Sequence, residues 1–257
     1  MNVPMRGGFG LAGAAIFLRI TSGGLASAEP APTANANIVR SASGTIAYRV
    51  KSTGAVNGYE TWRLSVHPDG SRTMAATVAY APRDVQRHIT SRVAADWRPI
   101  ETYALYWIDG AWKGSALVAV EGSSLHATAS TPAGPKSQVF TTSPYVSVVP
   151  HVLAVDSWRA MRVDRTKSAA QAVPSYSLSA VGDGPDALLG KLMNYNLTYI
   201  GAEDVTVPAG TFATEHFRIE DAVDIYLSGP DGIVVKFVYA AIDREHHLIE
   251  LNRGSEK

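Results

Sequence analysis

The side chains best suited to binding a ligand are aromatic rings on predicted strands, each of which shares a face with apolar residues two or four positions away. Residues two apart point to the same side of a strand, and an apolar face of this kind can hold an apolar molecule by burial alone. Core packing is the alternative interpretation of the same pattern. We expect the following aromatic residues to bind a ligand: Trp62, Tyr103, Trp107, Trp112, Phe217 and Tyr239.

Two polar residues complete the predicted binding set. Lys236 lies on an otherwise apolar strand face, where it either holds a carboxylate or phosphate group or, if it faces solvent, forms cross-strand ion pairs. His247 shares its predicted face with Ile249 and Leu251, so we expect its ring to point inward. A core histidine with satisfied hydrogen bonds is the alternative to a functional one.

The sequence carries no established signature of catalysis or of a metal site, and no cofactor is predicted. It contains no cysteine, no Gly-x-Ser-x-Gly elbow and no glycine-rich phosphate loop followed by lysine. His246 and His247 are adjacent, so in a strand they point to opposite faces and cannot chelate one ion together. His151, five residues before Asp156, fits either a general base at a ligand mouth or an ordinary helix start.

The first residues predict an export signal over residues 1–28. Arg6 supplies positive charge, an apolar stretch follows, and Ala26-Ser27-Ala28 fits the small-x-small cleavage rule. Residues 29–37 are rich in Pro, Ala, Thr and Asn, which predicts a flexible lead. The rest, residues 38–257, is predicted to form a single β-rich domain, with no membrane span after signal removal.

Charge and cysteine content restrict the partners and the compartment. Lysine plus arginine and aspartate plus glutamate both number 23, so the basic excess that a nucleic-acid partner requires is missing. Export without disulfides favours a bacterial periplasmic or secreted location. The predicted partner is therefore an apolar or amphipathic small molecule or lipid, with an envelope protein as an alternative.

Alternating apolar and polar residues predict strands along most of the chain. The first half is a predicted meander with strands over 45–51, 59–66, 71–80, 85–93, 99–107, 112–120 and 124–130. Three- and four-residue spacing predicts a helix over 151–161, and residues 185–193 predict a short helix or turn. A strand over 176–181 lies between them, and further strands are predicted over 195–207, 211–220, 223–227, 233–240 and 244–251. The expected fold is mainly β: a strongly curved antiparallel sheet, as a half-barrel or open barrel, with a small helical insertion.

The end of the chain carries a more specific pattern. A turn at Val207-Pro208-Ala209-Gly210-Thr211-Phe212 joins two predicted strands, since proline lacks the ladder donor and glycine reaches positive φ at little cost. It is accompanied by Tyr199-Ile200-Gly201, Asp231-Gly232 and Leu248-Ile249-Glu250-Leu251. This order of elements resembles a family of uncharacterised bacterial periplasmic proteins, which is structurally similar to half-barrel lipoprotein carriers of the LolA and LppX kind. The resemblance implies a curved sheet closed on its concave side by helices, and it implies no active site.

The function expected from these observations is non-catalytic binding of an apolar or amphipathic, lipid-like ligand on the concave face of a curved sheet in the cell envelope. One alternative is an enzyme that acts on a hydrophobic small molecule in the same cavity, which requires converging ionisable groups. Another is a structural envelope protein that binds a partner through a sheet edge.

Overall fold

A computed structural model describes residues 37–179 and 188–254 of the chain, and these form fifteen strands in one sheet. The strands of the first half are β1 (Arg40–Val50), β2 (Val56–Val66), β3 (Arg72–Tyr80), β4 (Val85–Val93), β5 (Pro99–Ile108), β6 (Ala111–Glu121), β7 (Ser124–Thr131) and β8 (Gly134–Thr141). Those of the second half are β9 (Ser147–Val149), β10 (Gln171–Leu178), β11 (Gly190–Val207), β12 (Gly210–Ile219), β13 (Val223–Ser228), β14 (Ile233–Tyr239) and β15 (Arg244–Arg253). The predicted export signal lies outside the described residues.

Neighbouring strands in the sheet follow the order β8 to β1, then β15 back to β9. Every pair is antiparallel except β9 with β10, which is parallel. Consecutive hairpins therefore account for nearly all of the pairing. The two exceptions are β1 with β15, near the middle of the sheet, and the parallel pair of β9 with β10. The mainly antiparallel β fold predicted from the sequence is confirmed.

The sheet is strongly curved but not closed by backbone pairing. β8 and β10 stand far apart in the strand order, yet the Tyr176 hydroxyl donates to Oε1 of Gln138 at 2.7 Å. The rings of Tyr176 and Phe140 also lie 5.8 Å apart. Side chains thus bring the two ends of the sheet together, and one continuous apolar core fills the concave side, which we call the inner face.

A short helical insertion covers part of the inner face. It consists of α1 (Leu153–Asp156) and a 3-10 helix over Ser157–Arg162. The predicted helix over 151–161 is thus confirmed in place but is shorter, since His151 adopts a φ of 58° before it and half of it tightens into 3-10 geometry. Trp158 anchors the insertion, because its Nε1 donates to the Asp231 carbonyl at 3.1 Å.

Turn chemistry explains the hairpins. The Asp109–Gly110 turn has positive φ at both residues (55° and 69°), as a two-residue loop between twisted strands requires. Val207 pairs with Gly210, so Pro208 and Ala209 make the turn between β11 and β12. These turns lie where the sequence predicts them.

Four segments differ from the prediction. β10 begins five residues before the predicted strand over 176–181 and ends at Leu178, and residues 180 and 181 of that prediction lie outside the described residues. Residues 190–193 belong to β11 rather than to a helix or turn; Gly190 fits there because its backbone packs against the Tyr176 ring, which a Cβ atom would meet at 2.7 Å. The sequence did not predict β8 or β9, since Gly134 and Pro135 open β8 and β9 is only three residues long. The remainder of the predicted 185–193 segment, up to residue 187, lies outside the described residues.

Gly44 offers a test of the packing between β1 and β2. It lies opposite Trp62, and a Cβ atom at Gly44 would meet Cζ2 of that ring at 2.6 Å and the Glu250 carbonyl oxygen at 2.6 Å. We expect Gly44→Ala to lower the free energy of unfolding by about 1–3 kcal/mol, because a buried ring and a backbone must both move. Urea denaturation measures this change. Gly122, with a φ of 58° and no atom within 4 Å, serves as a comparison in which alanine meets backbone strain but no clash, whereas Gly44 has no positive φ. A loss at Gly44 of less than about 0.5 kcal/mol would contradict the packing account.

A candidate ligand cavity on the inner face

A cavity of about 320 Å³ lies between the helical insertion and the strands β1, β4, β9 and β11 to β15. Its volume is within the range of roughly 300–1,000 Å³ typical of small-molecule sites. We call it the inner cavity. Its apolar wall is formed by Val149, Leu153, Ile219, Ile225, Phe237 and Tyr239.

Charged side chains share the wall of the inner cavity. Three arginines, Arg87 from β4, Arg159 from the 3-10 helix and Arg244 from β15, line it together with Asp156. Glu220 lies at the exposed rim, where its carboxylate accepts hydrogen bonds from the backbone and side chain of Asn196. The cavity therefore combines an apolar wall with guanidinium groups from three separate elements.

A buried glutamate holds the insertion on the sheet. Glu60 on β2 is fully buried, and its carboxylate accepts hydrogen bonds from the Tyr48 hydroxyl at 2.6 Å and from the backbone N–H groups of Leu153 and Ala154 at 2.8 and 2.7 Å. These two N–H groups open α1 and have no partner within the helix. Burial raises the pKa of Glu60, while the three donors oppose that shift. Glu60 thus positions the insertion over the cavity.

A stack of three rings forms another part of the wall. His246 lies between Tyr48 and Phe237, with ring centroids 4.2 and 5.4 Å away and nearly parallel planes. Its Nδ1 accepts a hydrogen bond from the Arg49 backbone at 3.0 Å, so this nitrogen carries no proton. Burial lowers the pKa of His246 to about 3, and the ring is neutral at physiological pH.

His151 and Asp156 meet through the backbone rather than as a catalytic pair. Oδ1 of Asp156 accepts a hydrogen bond from the His151 N–H at 3.1 Å. The His151 ring instead places Nε2 2.6 Å from the Leu178 carbonyl oxygen, which can only accept, so Nε2 holds the proton. Burial lowers the pKa of His151 to about 4 and raises that of Asp156 to about 7, with Arg159 opposing the shift of Asp156.

Of the eight sequence-predicted binding residues, only Tyr239 lines the inner cavity. Phe217 and Trp62 are buried in the core, apart from the cavity. The remaining five lie on the outer face of the sheet or at its edge: Tyr103, Trp107, Trp112, Lys236 and His247.

The outer positions have physical causes. Trp107 pairs with Trp112 across β5 and β6 next to a bulge, so Trp112 does not share the face of Ala116. Nζ of Lys236 lies 2.8 Å from Oε1 of Glu245, and Nε2 of His247 lies 3.2 Å from the same oxygen. The expected inward position of His247 is wrong, because a register shift at Thr45/Ile46 reverses the alternation and turns His246 inward instead.

The outer face has a groove of its own, of about 440 Å³, to which Tyr103 contributes with Thr61, Ala75, His88 and Thr90. It is open and shallow, and no cluster of charges converges on it. No group of three or more histidine, aspartate or glutamate side chains in the described part of the chain is arranged to hold a metal ion. Within residues 37–179 and 188–254, no helix has the length and apolarity needed to cross a membrane.

Together these features define a barrel-like β protein with a charged cavity on its inner face. A similar solved structure is the beta-barrel-like protein of domain of unknown function DUF1849 from Brucella abortus, with a TM-score of 0.50 and 9% sequence identity over 85% of this chain and 98% of that chain. At this identity the likeness concerns the fold alone. No family model and no curated protein matches the sequence.

Proposed function

We propose that the protein binds an amphipathic, lipid-like small molecule in the inner cavity, without catalysis. The observation that carries the proposal is the composition of the cavity wall, in which apolar side chains from the insertion and the sheet face the same space as three arginines. Burial of an apolar chain against such a wall contributes about 25 cal/mol per Å². Charged groups at the wall add the orientation that a purely apolar cavity lacks.

Two sequence-based predictions belong to this proposal. Export to the bacterial periplasm or cell surface would place the cavity where envelope lipids are available. The sequence resembles uncharacterised bacterial periplasmic proteins that are structurally similar to half-barrel lipoprotein carriers of the LolA and LppX kind, and this resemblance supports the same role. An envelope protein as partner stays an alternative, for which the edge strand β8 is the available pairing surface.

Blocking the mouth of the inner cavity tests the proposal. Ala222 lines the cavity and is exposed, so Ala222→Trp adds a ring at the mouth with little disturbance of the core. We expect this variant to bind decanoate at least about tenfold more weakly, because the added ring occupies space that the ligand needs. Isothermal titration calorimetry on residues 29–257 measures the affinity.

The matched control is Ala213→Trp, which adds the same ring at an exposed position of β12 outside the cavity. We expect it to bind decanoate as the parent protein does. Equal affinity in both variants and the parent would show that the ligand binds elsewhere. Failure of the parent protein to bind decanoate, decyl phosphate and decanol would remove the proposed function.

An enzyme acting on a hydrophobic small molecule is the second candidate, and one observation favours it. Asp156 lies at the cavity wall with a pKa of about 7, which suits a general acid or base near neutral pH. The Tyr48 hydroxyl donates to the Glu60 carboxylate, which also accepts from the backbone of α1. These two groups therefore already have partners within the protein and are weaker candidates for proton transfer to a substrate. Mass spectrometry of ligand recovered after incubation separates the candidates: an unchanged mass supports binding alone, and a changed mass supports the enzyme.

A further inference from the structure

Arg159 is an incompletely paired cation at the inner cavity. Its Nε and Nη1 atoms are buried and have no hydrogen-bond partner among the described residues. The guanidinium lies over the Tyr195 ring, with Cζ 4.4 Å from the centroid. A ring face attracts the positive charge but does not accept the N–H groups at the guanidinium edge. Buried donors without an acceptor are rare in native proteins and indicate a missing partner.

Arg244 brings a second guanidinium group to the cavity from another element, and it too lies against an aromatic ring. It lines the inner cavity, its Cζ lies 5.3 Å from the Tyr80 centroid, and it makes no ion pair with a carboxylate in the described part of the chain. Arg244 also lines an adjoining cavity of about 270 Å³, together with Tyr48 and Arg87. Two guanidinium groups held by aromatic rings thus border the same space without a carboxylate of their own.

The carboxylates nearby do not neutralise these two arginines. Glu60 is occupied by three donors from Tyr48, Leu153 and Ala154. Asp156 attracts Arg159 electrostatically but forms no ion pair with it, and the only hydrogen bond to its carboxylate among the described residues comes from the His151 backbone N–H. Glu220 at the rim accepts its hydrogen bonds from Asn196 and forms no ion pair with Arg159 or Arg244 among the described residues. The cavity wall is therefore electropositive where the guanidinium groups meet it.

We propose that the inner cavity recognises the anionic head group of its ligand, a carboxylate or a phosphate, through the guanidinium groups of Arg159 and Arg244. The inference rests on the proposed function and adds the chemical class of the ligand. The planar guanidinium fork matches both anions, and a ligand anion supplies the acceptors that Arg159 lacks. The apolar part of the ligand then lies along Ile225, Phe237 and Tyr239.

Three amphiphiles with the same ten-carbon chain test the head group. Titration of residues 29–257 with decanoate, decyl phosphate and decanol compares a carboxylate, a phosphate and a neutral hydroxyl. We expect one or both anions to bind at least about tenfold more tightly than decanol, because charge-assisted hydrogen bonds form only with the anion. The tighter of the two anions identifies the head group. Equal binding of all three would overturn the inference while leaving the proposed cavity function intact.

Variants assign the effect to the two arginines. We expect Arg159→Gln with Arg244→Gln to lower the affinity for the preferred anion at least about tenfold and to leave the affinity for decanol within about twofold. Arg159→Lys with Arg244→Lys should recover part of the anion affinity, since the charge returns. Arg63→Gln, at an exposed position on the outer face of β2, removes a positive charge away from the cavity and should change nothing.

A structural role for the arginines gives a different outcome. If the glutamine variant binds decanol as poorly as it binds the anions, the arginines shape the cavity rather than recognise charge, and the inference is wrong. Thermal unfolding followed by circular dichroism shows whether the variant folds. If the double variant does not fold, the single variants Arg159→Gln and Arg244→Gln decide, and an unchanged affinity for the preferred anion in both of them would overturn the inference.

Discussion

Replacement of Glu60 by alanine is expected to lower the free energy of unfolding by about 3–5 kcal/mol. The carboxylate accepts three buried donors, the Tyr48 hydroxyl and the N–H groups of Leu153 and Ala154, and alanine leaves all of them without a partner. Two of these donors are the first N–H groups of α1, so the substitution weakens the contact between the insertion and the sheet. Chemical denaturation followed by tryptophan fluorescence measures the effect.

A graded series makes the Glu60 prediction specific. Glu60→Gln keeps one carbonyl oxygen as an acceptor and should lose less stability than Glu60→Ala. Glu101 is exposed on the outer face of β5, and Glu101→Ala should change the free energy of unfolding by less than about 0.5 kcal/mol. A loss at Glu60 no larger than that at Glu101 would show that the buried carboxylate does not hold the insertion in place.

Replacement of Asp156 by asparagine is expected to change the pH dependence of stability. Burial raises the pKa of Asp156 from 3.8 to about 7, so the folded protein holds a proton that the unfolded chain releases. The parent protein therefore loses stability as pH rises from about 4 to about 7, and the loss persists above pH 7. Asparagine cannot ionise, so the free energy of unfolding of the variant, relative to that of the parent, should rise by about 4 kcal/mol between about pH 4 and about pH 7.

The difference between variant and parent isolates this effect. The buried His151 and His246 act in the opposite direction, since their lowered pKa values make the folded state less stable as pH falls below about 6.5. Both histidines are present in the variant and the parent, so their contribution cancels. Denaturation at pH values from 4 to 8 gives the difference. A difference between variant and parent that stays constant from pH 4 to pH 8 would contradict the burial of the Asp156 carboxyl.

The sequence predicts the fold well because strand alternation and turn residues are local signals. The Asp109–Gly110 turn and the Pro208–Ala209 turn lie between the strands that the pattern indicates. Strands are missed where the local sequence pattern is weak. One example is β9, which depends on pairing with β10 rather than on its own three residues. Long-range pairing such as β1 with β15 leaves no local trace at all.

The candidate site was harder to predict because both faces of the sheet carry aromatic rings. In β5 the more hydrophobic alternate set, Tyr103 with Trp107, lies outside, while Tyr106 is fully buried and donates to the Pro150 carbonyl. Hydrophobicity alone therefore selects the wrong face of β5. The register shift near Ile46 has the same consequence for His247, because a bulge is invisible to a strict two-residue period.

Two residues of the inner face did leave a usable signal. Glu60 alternates with Trp62 and Leu64, and Arg87 alternates with Val85 and Ile89. A charge on an otherwise apolar face of a strand indicates either a buried partner or a site. Arg159 and Arg244 carried no comparable signal, because their convergence depends on how the insertion and β15 meet across the cavity.

A crystal structure of residues 29–257 with 10-bromodecanoate is the decisive test of ligand binding in the inner cavity, because the anomalous signal of bromine locates the end of the apolar chain. We expect a bromine peak inside the inner cavity beside Ile225 and Phe237, with the carboxylate within hydrogen-bond distance of Arg159 or Arg244. A peak confined to the outer groove beside Tyr103, or an inner cavity without ligand at a concentration that saturates binding in solution, would contradict it.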